Sequence, residues 1–352
     1  MAPSERTWVE VDLAAVRENA RTVLARAGGA RLLPIVKANA YGLGAVALAR
    51  ALEPLDPWGF GVATADEGRE LRAAGIVRAI LVLQPTAAML EPCAALGLTP
   101  ALGSAADAAR WLGLTTLPFH IVVDTGMNRA GIRWDAFAQA TSAFAAAPGF
   151  EGLMTHFHSA ERDAASVREQ WGRFQAALAS LPRRPAVVHA ANSAAALGFP
   201  EVAGDLVRPG LFLYGGAVGE HRPRPVVAWR ARTRRVARCA PGDTVSYGAT
   251  WRAPRAMWIA TLAAGYADGY RRALSGRGEA LIGGRRCPVA GTVTMDAVMV
   301  ASDDEPPADA VATLVGTDGA ETITLDDVAA RAGTISYEIL TGLGPRVERV
   351  YR

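Results

Sequence analysis

Between residues 30 and 215 short apolar runs recur along the chain, separated by alanine-rich amphipathic stretches. The runs fall at 32–38, 59–63, 79–84, 98–102, 119–124, 152–158, 186–191 and 206–214, and read as strands. Helical candidates lie between them at 65–74, 105–112, 134–146 and 164–181. Start signals stand where two of them begin: Thr64 with Glu67 three residues on, and Ser104 before an alanine run. Eight strands alternating with helices over this length fit a closed barrel better than an open doubly wound sheet. No Gly-x-Gly-x-x-Gly is present, because Gly42-Leu43-Gly44 lacks the third glycine. Beyond about residue 220 the texture changes. Pro223 and Pro225 mark a break, then β-branched and arginine-rich runs follow, with turns at Pro241-Gly242-Asp243, Gly283-Gly284 and Asp318-Gly319. Helical stretches stand out there only at 325–332 and 335–340. The expected fold class is α/β: a (β/α)8 TIM-type barrel over 1–220, then a smaller, mostly-β domain over 221–352.

Composition narrows this picture without redirecting it. At 51% apolar and 20% charged, the chain reads as a soluble globular enzyme. A net charge of +3 predicts neither nucleic-acid nor membrane binding. The densest basic run, 229–236, alternates apolar and basic residues as a strand with one solvated face does. Three cysteines, Cys93, Cys239 and Cys287, lie far apart and cannot all pair, which suits a reducing compartment. The amino terminus lacks the apolar core of a signal peptide and no run approaches a membrane span, so a cytoplasmic protein is expected.

One count changes the reading. Lysine and arginine total 37, and a single lysine, Lys37, is among them. Arginine serves wherever a cation must be solvated or paired, but it cannot lose its proton near neutral pH and add to a carbonyl. A lysine amine can, once burial or neighbouring cations lower its pKa. Lys37 follows Leu32-Leu33-Pro34-Ile35-Val36 and precedes a turn, at the C-terminal end of a buried strand. Schiff-base chemistry is the expectation there.

If the barrel is right, functional side chains fall at the C-terminal ends of its strands. Lys37 ends the first. Asp124-Thr125-Gly126-Met127-Asn128-Arg129 follows the fifth, His156 lies late in the sixth, Asn192-Ser193 follows the seventh, and Arg208-Pro209-Gly210 lies in the eighth. Ser193 and Gly210 match the usual phosphate site of such barrels. Each residue also has a plain structural reading: Arg129 as a loop arginine, Arg208 as a buried ion-pair partner. His156 and His158, two apart on a strand, would share a face, but nothing supplies a carboxylate partner, so no metal is expected. In the second domain, Tyr247, Met295-Asp296 and Ser336-Tyr337-Glu338 say nothing by themselves.

Val36-Lys37-Ala38-Asn39-Ala40-Tyr41-Gly42 resembles the pyridoxal-phosphate attachment motif of bacterial alanine racemases. The likeness continues through Trp8–Leu13, Asp124–Arg129, Thr155-His156-Phe157, Ala191–Ala194, Val207–Gly210, Gly242–Gly248, Gly265–Gly269, Met295-Asp296 and Ile335–Glu338. It implies a homodimer whose active sites combine one barrel with the partner's β domain, converting L-alanine to D-alanine and back, for peptidoglycan. Lys37 would hold pyridoxal 5'-phosphate as an internal aldimine and act as base on one face of the Cα, with Tyr247 of the partner subunit on the other. Phenols titrate at about pH 10, so such a base needs help; His156 and Arg208 would give it. Arg208 would also face the pyridine nitrogen. Arg129 would contact the cofactor's phenolic oxygen and the substrate carboxylate, assisted by the backbone of Met295 of the partner subunit; Tyr41, Ser193, Gly210, Leu211 and Tyr337 would bind the phosphate. Many family members carry a carbamylated lysine seven residues before the arginine; here that place is Val122, and Thr294 stands where cysteine is frequent. The alternatives are a racemase for serine or broader substrates and a non-catalytic carrier of the cofactor.

Overall fold

The computed structural model describes residues 5–352, which divide into two compact units. One comprises 16–213 and 217–222. The other takes 214–216, 223–352 and the described residues up to Ala15. The amino-terminal segment therefore lies outside the barrel unit, in which the sequence pattern alone would include it. Its strand β1 (Thr7–Val11) pairs antiparallel with Val227–Cys239 and parallel with Glu348–Tyr351.

The barrel is built from β2 (Arg31–Leu32), β3 (Gly59–Val62), β4 (Ala79–Leu83), β5 (Thr99–Leu102) and β6 (Phe119–Asp124). A short β7 (Ile132–Arg133) flanks β6, and β8 (Phe150–Met154), β9 (Val187–His189) and β10 (Leu206–Val207) follow. Strands β3 to β6, β8 and β9 form one parallel sheet in that order. Closure comes from shorter links: β10 pairs parallel with β2, and bridges join Ile35 to Gly61 and Asn192 to Arg208. Eight parallel strands thus meet around one core, and β3 is buried along its whole length, as parallel strands covered on both faces are. Leu33, Leu81, Ala101, Val122, Met154, Val187 and Leu206 form one buried cluster drawn from successive strands, a side-chain layer across the barrel interior.

The helices at Ala65–Ala73 and Ala105–Leu114 start at the expected caps, where Thr64 and Ser104 side chains accept from the backbone N–H three residues on. The stretch 134–146 forms only a four-residue helix, Phe137–Ala140, and a 3-10 turn, Thr141–Ala143. Its alanines offer helix propensity. However, Ala136 supplies no side-chain cap, and the Thr141 hydroxyl donates back to the Ala138 carbonyl at 2.9 Å. The last strand is shorter than 206–214, because Pro209 has no N–H to give and Leu211–Tyr214 tighten into a 3-10 turn.

In the second unit Val227–Cys239 (β11) is the long central strand, with Val227, Trp229, Ala231 and Thr233 buried and arginines between them half-exposed. Two helices stand there, Leu325–Ala332 and Ser336–Thr341; a capping box at Thr324 and Asp327 starts the first. Among the described residues no helix is long and apolar enough to cross a membrane.

Candidate active site

The backbone after Lys37 is unusual. Ala38, Asn39, Ala40 and Tyr41 all have φ between 50° and 57°, a left-handed turn of four consecutive non-glycine residues. Such a turn costs roughly 1–2 kcal/mol per residue, so something must hold it. Ala40 N–H donates to the Val36 carbonyl at 2.7 Å and Gly42 N–H to Ala38 at 2.8 Å. The Asn39 carboxamide accepts from Ala45 N–H at 2.8 Å. Glu67, in the first turn of the helix Ala65–Ala73, accepts from Ala38 N–H at 2.7 Å and from Ala63 N–H at 2.7 Å. One carboxylate thus ties the segment after Lys37 to the end of β3.

The turn sets Lys37 and Tyr41 on the same rim. The Lys37 amine is half-buried, and its pKa is pushed below the ordinary lysine value by burial first and by the charge of Arg129 second, with Glu67 opposing. Tyr41 is buried against Gly210, where a Cβ would lie 2.3 Å from the Tyr41 hydroxyl, so no other residue fits. Gly210 N–H donates to Ser193 Oγ at 3.0 Å, and Leu211 follows at the start of its 3-10 turn. The side chains of Tyr41 and Ser193 and the backbone at Gly210 are therefore brought together.

Arg208 is buried inside the barrel mouth. It donates through Nη2 to the Thr155 carbonyl at 2.7 Å, the Ala190 carbonyl at 2.9 Å and His156 Nδ1 at 3.2 Å, and through Nη1 to His189 Nδ1 at 3.0 Å. Burial lowers its pKa to about 9. His156 is pushed down to about 3 by burial and then by the charges of Arg208, Arg129 and Lys37, so its imidazole is neutral and accepts from the guanidinium. Strand β8 ends at Met154, so the alternation expected to put His156 and His158 on one face does not extend to them. His158 turns instead to Ser159 Oγ at 2.6 Å.

Arg129 is exposed on the loop after β6. Asp124 Oδ1 accepts from Gly126 N–H at 2.9 Å and Asn128 N–H at 3.1 Å, and Arg173 donates to the Thr125 carbonyl at 2.9 Å. Val122 belongs to the apolar layer and offers Arg129 no charge. The loop that carries Arg129 is shaped by Asp124 and Arg173.

On the second unit Tyr247 stands 76% exposed in a turn where Ser246, Gly248 and Ala249 all have positive φ. Thr292 pins that turn, donating to the Tyr247 carbonyl at 3.2 Å and accepting at its own carbonyl from Ser246 Oγ at 2.6 Å. Met295 is 52% exposed, and its carbonyl accepts from Ala267 N–H at 3.1 Å and Arg346 at 3.3 Å. Thr294 closes the same turn by donating to the Ala297 carbonyl at 2.8 Å. Tyr337 lies half-buried in the helix Ser336–Thr341.

Residue-type reasoning passed over Glu67, noted only as a cap partner, and His120, His189, Glu151 and Arg173. The signal for the two histidines is their place: each interrupts an apolar strand two positions from a residue of the interior layer.

Comparison with known proteins agrees along the chain. The model of the alanine racemase N-terminal domain matches residues 11–218, and that of the C-terminal domain matches 226–351. An alanine racemase of Carboxydothermus hydrogenoformans is 40% identical over 98% of this chain and 99% of its own. The crystal structure of alanine racemase from E. faecalis superposes with a TM-score of 0.92 at 35% identity, covering 98% of both chains. That of alanine racemase from Bartonella henselae with covalently bound pyridoxal phosphate superposes at 0.90 with 28% identity, over 99% of this chain and 100% of the other.

Proposed function

The chain belongs to the alanine racemase family, and on that premise we propose that it interconverts L- and D-alanine with pyridoxal 5'-phosphate held on Lys37. The observation that carries the reading is Lys37 itself. The chain's one lysine stands at the barrel rim with a lowered pKa, beside a hydroxyl-lined cradle and a buried arginine. The residues fit the cofactor. Tyr41, Ser193, Gly210 and Leu211, joined by Tyr337, would hold its phosphate, where Ser193 and Gly210 already meet at 3.0 Å. Arg208 would face its ring nitrogen, donating a hydrogen bond that it cannot exchange for an accepted proton.

When bound, the cofactor supplies an electrophilic carbon for the substrate amine and an electron sink that acidifies the Cα proton. The chain's residues do the rest. Arg129 and the backbone of the partner subunit's Met295 orient the substrate carboxylate, leaving the Cα–H directed at a base. The Lys37 amine takes or gives the proton on one face. Tyr247 of the partner subunit does the same on the other, because inverting a stereocentre by proton exchange calls for two opposed groups. His156, neutral and bonded to Arg208, is the polar neighbour through which the phenol would be assisted. A homodimer is supported by Tyr247, Tyr266, Met295 and Ile335, all exposed on the second unit as side chains awaiting a covering surface. The three buried, unpaired cysteines support a reducing, cytoplasmic setting in which the D-alanine would serve peptidoglycan synthesis. A carrier role is disfavoured by a chain that matches the family through its C-terminal domain.

The test incubates purified protein with L-alanine in deuterated water and follows Cα proton loss and product chirality together. Deuterium entry with D-alanine formation is expected, and L-serine in parallel reads substrate breadth. Bound cofactor without exchange would overturn the reading in favour of a carrier.

A further inference from the structure

A line of hydrogen bonds leaves Arg208 in the direction away from the rim. Its guanidinium can only donate, so His189 accepts at Nδ1, 3.0 Å away, and carries its proton on Nε2. That Nε2 lies 2.9 Å from His120 Nδ1, which must then accept, leaving the His120 proton on Nε2. His120 Nε2 lies 3.2 Å from a Glu151 carboxylate oxygen. Both imidazoles are fully buried. Burial lowers both pKa values and the Arg208 charge adds to this, while Glu151 opposes it at His120. The three inward-facing members descend through the barrel. Arg208 lies beyond β10, His189 ends β9, and His120 is the second residue of β6. Glu151, second residue of β8, is partly open to solvent near the strand's beginning, opposite the rim that carries Lys37.

The path is built rather than incidental. A Cβ at position 152 would lie 2.5 Å from the His120 ring, so Gly152 is the residue that lets the imidazole lie across β8. Trp58 packs on the other side of that ring, with centroids 5.4 Å apart. Arg208 has no carboxylate among its hydrogen-bond partners, which are two carbonyls and two imidazoles. A guanidinium buried without a touching anion is costly, and charge supplied through polarised hydrogen bonds lowers that cost.

We propose that Glu151 is the remote counter-ion of Arg208, fixing through His120 and His189 both imidazole tautomers and the guanidinium they hold. Glu151 is a positioning residue: it touches neither substrate nor cofactor. Without an acceptor at Glu151 the His120 proton can move to Nδ1. It would then face the proton on His189 Nε2, and His189 could remain bonded only by presenting a proton to Arg208. The donor-only guanidinium at one end and the Glu151 carboxylate at the other therefore hold the line in a single register, and removing the carboxylate leaves the His120 end unfixed.

The assignment of Arg208 to the cofactor rests on the proposed function; the tautomer line does not. The experiment therefore reads both, in wild type, Glu151→Gln and Glu151→Leu. Imidazole 15N shifts in histidine-labelled protein report tautomers, and visible absorbance after dilution reports pyridoxal phosphate release. In wild type both His120 and His189 are expected as Nε2–H. Glu151→Gln keeps an acceptor oxygen and should preserve that pattern while losing the charge. Glu151→Leu should shift the His189 signals although the substitution is two residues removed along the line. Release should quicken on the order of tenfold in Glu151→Leu, the scale at which outer partners act on a bound centre, and less in Glu151→Gln. Unchanged His189 signals in Glu151→Leu would overturn the proposal, as would a wild-type tautomer other than Nε2–H. Shifted signals with unchanged release would overturn the link to Arg208's hold on the cofactor. A wild type that binds no pyridoxal phosphate would sink the proposed function, and the shifts alone would then decide the line.

Discussion

At the Lys37 amine, burial and the neighbouring Arg129 charge both favour the free base, and only Glu67 opposes them. Because the chain has no second lysine, borohydride reduction of the cofactor-loaded protein should modify the Lys37 peptide alone. Lys37→Ala should lose the visible absorbance, the reduced adduct and all racemisation; an adduct persisting in that variant would refute the attachment site. The buried histidine beside it yields a second prediction. His156 in the folded protein titrates at about 3, below the unfolded value of about 6.5. The unfolded chain therefore binds more protons between those values, and stability falls as pH drops through that window, by about 1.4 kcal/mol for each pH unit of depression. Denaturant midpoints measured from pH 7.5 down to 5 should decline, and His156→Asn, which keeps an acceptor for Arg208, should flatten the slope. An equally steep slope in the variant would remove His156 as its source. At this scale the sequence was informative where chemistry restricts residue type. A lone lysine in a chain of arginines is visible without a structure. His120 and His189 were not, because a histidine inside an apolar strand carries no sign of what it faces until the strands close.

Among elements, the left-handed turn at Ala38–Tyr41 is the one that local preference would least expect, since of its four residues only Asn39 is of a type that adopts positive φ readily. Beside its own backbone bonds and the Asn39 carboxamide, the turn is held from outside by the Glu67 carboxylate, which accepts from Ala38 N–H in the turn and from Ala63 and Thr64 N–H beyond it. Glu67→Ala should leave those donors poorly satisfied, destabilise the protein by roughly 1–3 kcal/mol, and weaken cofactor binding by releasing the segment that carries Lys37 and Tyr41. Unfolding midpoints and cofactor titration check both; a stability loss with unchanged cofactor affinity would confine Glu67 to capping its own helix. The same elements show what pattern can deliver. The apolar runs located the barrel strands because hydrophobic burial decides where strands lie, but their ends depend on single groups. Pro209 shortens the last strand, and the strand expected over 152–158 stops at Met154, so His156 reaches Arg208 from a loop. The Trp134–Ala146 region lost its expected helix for want of a cap, a feature that composition hides.

For the whole molecule the decisive question is where Tyr247 does its work. Texture alone separated a barrel from a β-rich region, yet the first strand's place in the second unit follows from pairing between residues more than 200 positions apart, such as Val9 with Trp229. No local window contains that. Nor does local pattern give Tyr247 a role, because it is an exposed side chain on a loop whose meaning depends on what covers it. If each active site joins Lys37 of one subunit to Tyr247 of its partner, two inactive variants should complement. A dimer of Lys37→Ala with Tyr247→Phe has one site in which both substitutions meet and one in which neither occurs. Random exchange of equal amounts makes half the dimers mixed, so about a quarter of wild-type activity should return. The recovered activity should grow with the time allowed for subunit exchange and stop growing once the mixed dimer is covalently fixed. Two variants that stay inactive together, in a mixture shown by mass spectrometry to contain the mixed dimer, would place both residues in one subunit's site or deprive Tyr247 of its role.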